Sequence, residues 1–229
     1  MLTYTLEDKI ALVHMDDGKA NALSEGMIDE LGSAFDRADK EASAIVLSGR
    51  PDRFCAGFDL KVMMSSPEAA TSLLKKGSAL LMKMYGSPVP LVVACTGHAL
   101  AGGALVLLTG DVRIGAAGAY RIGLNEVSIG MPVPILAMEL ARDRIATTDL
   151  VKATLHATIY DPDGAARVGY LDEVVAPGEV LARAKAEAAR LGAYGRTPFV
   201  ATKERLRKKT IHHILSTLDE DMRSFTVTG

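Results

Sequence analysis

The sequence predicts an α/β fold in which a largely parallel sheet is covered on both faces and followed by a C-terminal helical region. Three observations carry this. The runs Ala44 to Leu47 and Leu91 to Cys95 are short and almost wholly apolar, as strands buried on both faces are. Between them, residues 67–84 have the periodicity of a helix, so strand, helix and strand follow in the order of a parallel crossover. Beyond Pro134 the pattern becomes mostly helical. With 229 residues, 48% hydrophobic and 24% charged, the chain is long enough for one principal core. We place that core at residues 1–190 and a C-terminal helical region at 191–229.

Taken in order, residues 2–6 and 10–15 alternate apolar and polar positions around Glu7, Asp8 and Lys9, and are predicted as two short strands. Ser24 is an N-cap candidate. After it Met27, Ile28, Leu31, Ala34, Phe35 and Ala38 recur at helical spacing, giving an amphipathic helix to about residue 41. A glycine-containing loop follows the strand at 44–47. Gly102 to Leu108, small and apolar, is expected as a buried helix. Val112 to Ile114 and Tyr120 to Ile122 are expected as strand pieces. Helices follow at about 135–144, 147–156, 161–166, 178–191 and 198–225, with one strand at Leu171 to Val175. No internal repeat is visible. The stripe Ile211, Leu215, Leu218 and Met222 fits either packing on the chain's own core or a subunit contact.

Charge narrows the function classes. A formal net charge of −2 and a pI near 6.2 argue against nucleic acid, whose backbone requires a concentrated cationic surface. The basic cluster Lys203 to Lys209 is expected as a solvated helix face, with a phosphate anchor as the alternative. Cys55 and Cys95 sit among apolar residues without metal-site spacing, and His14, His98, His156, His212 and His213 show none either, so no metal is expected. The N-terminal segment lacks the pattern of a signal or transit peptide, and no apolar run is long enough for a membrane span. A soluble, cytoplasmic protein is the expectation.

Three segments have compositions suited to chemistry. In Asp52 to Leu60, Ala56 and Gly57 allow the backbone to approach a ligand closely, with the Phe58 N–H directed outward. In Gly97 to Gly103, a glycine pair opens the buried helix, where unpaired N–H groups and the helix dipole favour an anion or a developing oxyanion. In Ile122 to Pro132, Glu126 is a single carboxylate in a largely apolar stretch. A glutamate beside a turn is commonly solvated; burial instead would raise its pKa and make it a stronger base.

In this order the three segments resemble the crotonase, or enoyl-CoA hydratase/isomerase, family over about residues 2–225. The resemblance implies a ββα superhelix and an acyl-coenzyme A thioester as substrate, with no cofactor apart from the coenzyme A that the substrate carries. It also implies an oxyanion hole formed by the N–H groups of Phe58 and Gly102. Coenzyme A would lie along Ala22 and the loop from Ala56 through Asp59, Leu60 and Lys61. A homotrimer or dimer of trimers, built through the C-terminal region, is the implied assembly.

Hydratases of this family use two glutamates, the first three residues after the oxyanion-hole glycine. That position here is Leu105, which can neither hold water nor move a proton. The second aligns with Glu126, and Tyr120 to Glu126, with Asn125 beside the base, is similar to the corresponding stretch of Δ3,Δ2-enoyl-CoA isomerases. The expectation is therefore isomerisation of 3-enoyl-CoA to trans-2-enoyl-CoA by one base. An enoyl-CoA hydratase or another acyl-CoA reaction is the alternative, and a non-catalytic acyl-CoA-binding subunit the alternative of another class.

Overall fold

The chain opens with an antiparallel pair, β1 (Leu2–Glu7) and β2 (Ile10–Met15), joined by the tight turn at Asp8 and Lys9, both at positive φ. The computed structural model describes residues 1–224. Helix α1 (Glu25–Glu41) follows, its first turn capped by Ser24 Oγ accepting the Met27 N–H at 3.2 Å. It buries the apolar stripe read from the sequence, Met27 through Ala38.

From there the chain repeats one plan. β3 (Ala44–Gly49) and β4 (Asp52–Cys55) lead to the short α2 (Leu60–Met63) and the long α3 (Pro67–Tyr85). β5 (Leu91–Cys95) and β6 (Gly97–Leu100) lead to α4 (Gly102–Thr109). β7 (Val112–Ala116) and β8 (Ile122–Gly123) lead through a 3-10 turn at Val127–Ile129 to α5 (Ile135–Arg144). The first strand of each pair enters a six-stranded sheet ordered β1-β2-β3-β5-β7-β9, its last strand β9 being Glu173–Val175, and the second enters a three-stranded parallel sheet ordered β4-β6-β8. This is the ββα superhelix implied by the resemblance. Its repeat lies in the backbone path, while the side chains of the three units share no pattern.

Alternation divides the large sheet between two packing faces. Ile45 and Leu47 face the main core with α1, α3 and α4, whereas Ala44 and Val46 join Val92, Ala94 and Ile114 beneath α8 (Val180–Gly192). Both faces are thus covered, as near-continuous apolar strands require.

Several boundaries differ from the sequence-based expectation. The loop after β3 contains β4, whose Asp52 and Arg53 are exposed and carry no apolar alternation. Tyr120 and Arg121 precede the strand at Ile122: the Tyr120 hydroxyl donates to Asp52 Oδ1 at 2.6 Å, and the Arg121 N–H donates to His98 Nδ1 at 3.0 Å. The helix expected at 147–156 contracts to α6 (Leu150–Ala153), and the turns that follow it end at Ala157, which lies at positive φ. After α7 (Pro162–Val168), β9 is only Glu173–Val175. The last helix, α9 (Arg196–Ser224), starts earlier than expected; residue 225 of the expected helix and the last part of the 191–229 region lie outside the described residues.

The basic cluster on α9 is not a solvated face. Lys203 and Arg207 are buried, and both pair with Asp111 at 2.7 and 3.0 Å. Lys203 Nζ also donates to the Ser87 carbonyl and Arg207 Nη1 to the Tyr85 carbonyl. These cations therefore satisfy backbone acceptors at the C-terminal end of α3, where the helix dipole favours positive charge. Glu204, Arg205 and Lys208 face outward. Of the apolar stripe, Met222 is buried in the chain's own core, Ile211 and Leu218 pack against it, and Leu215 remains exposed, while Ile214, outside the expected stripe, is buried as well.

Candidate active site

The small sheet brings the three chemically suited segments together. Residues 20–23 run beside the 56–59 loop: the Leu23 N–H donates to the Gly57 carbonyl at 2.8 Å and the Ala56 N–H to the Ala20 carbonyl at 3.0 Å. The buried Asn21, at positive φ, secures this segment by donating from Nδ2 to the Met15 and Arg53 carbonyls. Gly57 lies at φ +98°, and a Cβ there would sit 3.0 Å from the Gly102 nitrogen. The loop after β4 thus rests directly on the start of α4. Gly103 permits this contact, because a Cβ on it would meet the Cys55 carbonyl oxygen at 2.0 Å.

Backbone strain marks the same place. Ala101 has φ 48° and ψ −121°, a conformation that costs on the order of 1–3 kcal/mol for a residue with a side chain. Its N–H donates to the Gly123 carbonyl at 3.0 Å and its carbonyl accepts from Leu105 at 3.1 Å, so both sides of the bend are held. Gly102 follows as the first residue of α4. Neither its N–H nor that of Phe58 has an acceptor among the described residues. The Phe58 ring packs where Gly77 of α3 leaves room, since a Cβ on Gly77 would overlap it.

These amides border a cavity of about 230 Å³. Ala56, Phe58, Leu60, Gly102, Leu105, Asn125 and Glu126 line it, so most of the site residues expected from the sequence converge there. Ala22, Asp59 and Lys61 do not line it. Ala22 lies on the strand-like segment beside the loop, the Asp59 carboxylate caps α2 by accepting the Lys61 N–H at 2.9 Å, and Lys61 is exposed. Met63, Leu74, Leu136 and Met222 complete the apolar wall. No local motif announces these residues, because four different helices contribute them.

Glu126 is the one ionisable side chain among the residues lining that cavity. It is 5% exposed, and its Oε2 has no hydrogen-bond partner. Burial pushes its pKa from 4.5 up to about 7, against a smaller opposing effect of the Asn125 and Glu126 amides. The 3-10 turn fixes the residue from behind, as the Glu126 carbonyl accepts the Ile129 and Met131 N–H groups, each at 3.0 Å. Asn125 Oδ1 beside it is also buried and unpartnered. Leu105, 2% exposed, occupies the α4 position where a second carboxylate was sought, and every other side chain of that helix is buried and uncharged.

A family model described as enoyl-CoA hydratase/isomerase matches residues 5–229. The chain belongs to the enoyl-CoA hydratase/isomerase family. It is an enzyme of that family, similar over its length to an enoyl-CoA hydratase/isomerase family protein from Pseudomonas syringae, with 39% identity, 98% of each chain covered and a TM-score of 0.96. It is also similar to human mitochondrial delta3-delta2-enoyl-CoA isomerase, with a TM-score of 0.93 at 28% identity, covering 97% of this chain and 89% of that one. A putative enoyl-CoA hydratase from Thermus thermophilus is 32% identical over 86% of this chain and 80% of its own length. Family membership therefore spans both activities, and the residues around the cavity bear on which one applies.

Proposed function

We propose that the protein is an enoyl-CoA isomerase converting 3-enoyl-CoA to trans-2-enoyl-CoA with Glu126 as its one base. The observation carrying this reading is a lone, buried carboxylate, its Oε2 without a hydrogen-bond partner, sharing an apolar cavity with two unpaired backbone N–H groups.

In this mechanism the thioester carbonyl oxygen accepts from the Phe58 and Gly102 amides. Glu126 removes a proton from C2; the C2–H electrons form a C1–C2 double bond, and the carbonyl π pair moves onto oxygen. The amides bind that negative charge where it develops, and one such donor is worth about 3 kcal/mol in comparable sites. The protonated Glu126 then delivers the proton to C4 as the carbonyl re-forms and the double bond settles between C2 and C3. Leu105 and the surrounding apolar wall exclude water from the dienolate. The adenine and pantetheine portions lie along Ala22 and the loop from Ala56 to Lys61, which borders the cavity.

A pKa near 7 suits both halves of the cycle, because the same group accepts and returns the proton near neutral pH. Glu126→Gln is isosteric but cannot carry the proton. With a 3-enoyl-CoA substrate it is expected to lower kcat by about 10²–10⁴-fold, the usual range for a positioned base; wild-type turnover would remove Glu126 from the mechanism.

Hydration is the second reading, favoured by relatives named as hydratases. It would need Glu126 to serve both as base and, after transfer, as acid, since Leu105 offers neither role. Water addition to crotonyl-CoA, measured beside isomerisation of a 3-enoyl-CoA, separates the two. The remaining parts of the reading are a cytoplasmic protein assembled as a trimer or dimer of trimers.

A further inference from the structure

The last turns of α9 reach the cavity that holds Glu126. Met222 is 5% exposed and lines that cavity, although it stands nearly a hundred residues along the chain from Glu126. Two contacts hold this turn in place. Asp221 Oδ2 accepts the Ile135 N–H at 2.8 Å at the start of α5, where Pro134 provides no side-chain cap. Lys75 on α3 pairs with Asp219 at 2.6 Å. Leu74, next to Lys75, and Leu136, next to Ile135, line the cavity with Met222. The end of α9 is thus fastened to the two helices that form this side of the wall.

On the proposed isomerase reading, the thioester sits at the Phe58 and Gly102 amides, and the acyl chain extends toward the apolar wall supplied by the helices. We infer that Met222 is the specificity-determining residue that closes the acyl pocket and sets the longest acyl chain it accepts. The contacts at Asp221 and Asp219 support this, because they hold Met222 against the cavity at a fixed place. An unbranched thioether is also the side chain best able to adjust to chains of slightly different length.

The test is a series of saturated acyl-CoAs from four to twelve carbons, with dissociation constants measured by calorimetry on the full chain, wild type beside Met222→Ala and Met222→Phe. Saturated thioesters bind without turnover, so this readout stands whether or not isomerase activity is found. For the wild type, affinity should rise with chain length and then level off or fall within the series. Met222→Ala removes three heavy atoms from the wall and should move that break two to three carbons longer, each newly buried methylene adding about fourfold in affinity. Met222→Phe should move it shorter. If Met222→Ala fails to fold, the opposite shift in Met222→Phe still decides. The same break in wild type and in the folded variants would overturn the inference. In parallel, 3-enoyl-CoA turnover by the wild type tests the isomerase reading itself: a shifted break without turnover would retain Met222 as the limit and discard the reaction.

Discussion

At the residue scale, Glu126 shows a conflict between stability and chemistry. Its folded pKa of about 7 lies above the ordinary 4.5, so between those values the folded chain holds a proton that the unfolded chain has released. Stability therefore falls as pH rises through this window, by about 3 kcal/mol in total for a shift of this size. Glu126→Gln removes the cost. Thermal or urea unfolding should show the variant more stable than wild type at pH 8 and equal to it near pH 4.5; no gain at pH 8 would mean that the carboxylate is better solvated than its surroundings indicate. The same ionisation sets activity. As the base must be deprotonated to begin, kcat/KM for a 3-enoyl-CoA should rise with pH through an apparent pKa near 7 and level off above it. In the sequence, Glu126 stood out as one acid among apolar neighbours, but whether it was buried or solvated depends on Leu105 of α4, Leu136 of α5 and, much farther along the chain, Met222 of α9, which line the cavity with it.

Elements explain why the two glycine segments meet. β4 and β6 are four residues each and pair in parallel, with a register shift between Arg53 and Cys55. This short ladder sets the loop after β4 against the start of α4. Gly103→Ala drives a methyl group into the Cys55 carbonyl oxygen. We expect a loss of roughly 2–4 kcal/mol in denaturant unfolding, with activity falling in step. Ala101→Gly has the opposite sign: relief of a positive φ should leave stability unchanged or raise it by about 1 kcal/mol. The functional segments were legible as glycine-bearing turns after strands, whereas β4 was not. Its Asp52 and Arg53 lack the apolar alternation by which strands are recognised, and its partner β6 lies more than forty residues away.

For the molecule as a whole, α9 fastens the C-terminal region to the core through buried charge. Asp111 holds Lys203 and Arg207, and burial lowers the Lys203 pKa to about 8 although Asp111 opposes the shift. Asp111→Ala would leave two buried cations without their shared partner, and a loss of about 3–5 kcal/mol is expected in equilibrium unfolding. Because the same helix delivers Met222 to the cavity, acyl-chain selectivity should broaden in any folded fraction. The strand-helix-strand core was legible from its apolar runs. The inward half of Lys203 to Lys209 was not, since a charged side chain reads as solvated until Asp111 and the end of α3 are brought beneath it. The proposed trimer or dimer of trimers is checked by sedimentation, which should give the mass of three or six chains.

The proposal of a single proton-carrying base is tested most directly by following the proton. A 3-enoyl-CoA carrying deuterium at C2, converted in ordinary water and examined by NMR during the first turnovers, should yield trans-2-enoyl product with part of the label at C4, because an enclosed Glu126 returns what it removed. Product with no deuterium at C4 even at the earliest times, or undiminished conversion by Glu126→Gln, would contradict it.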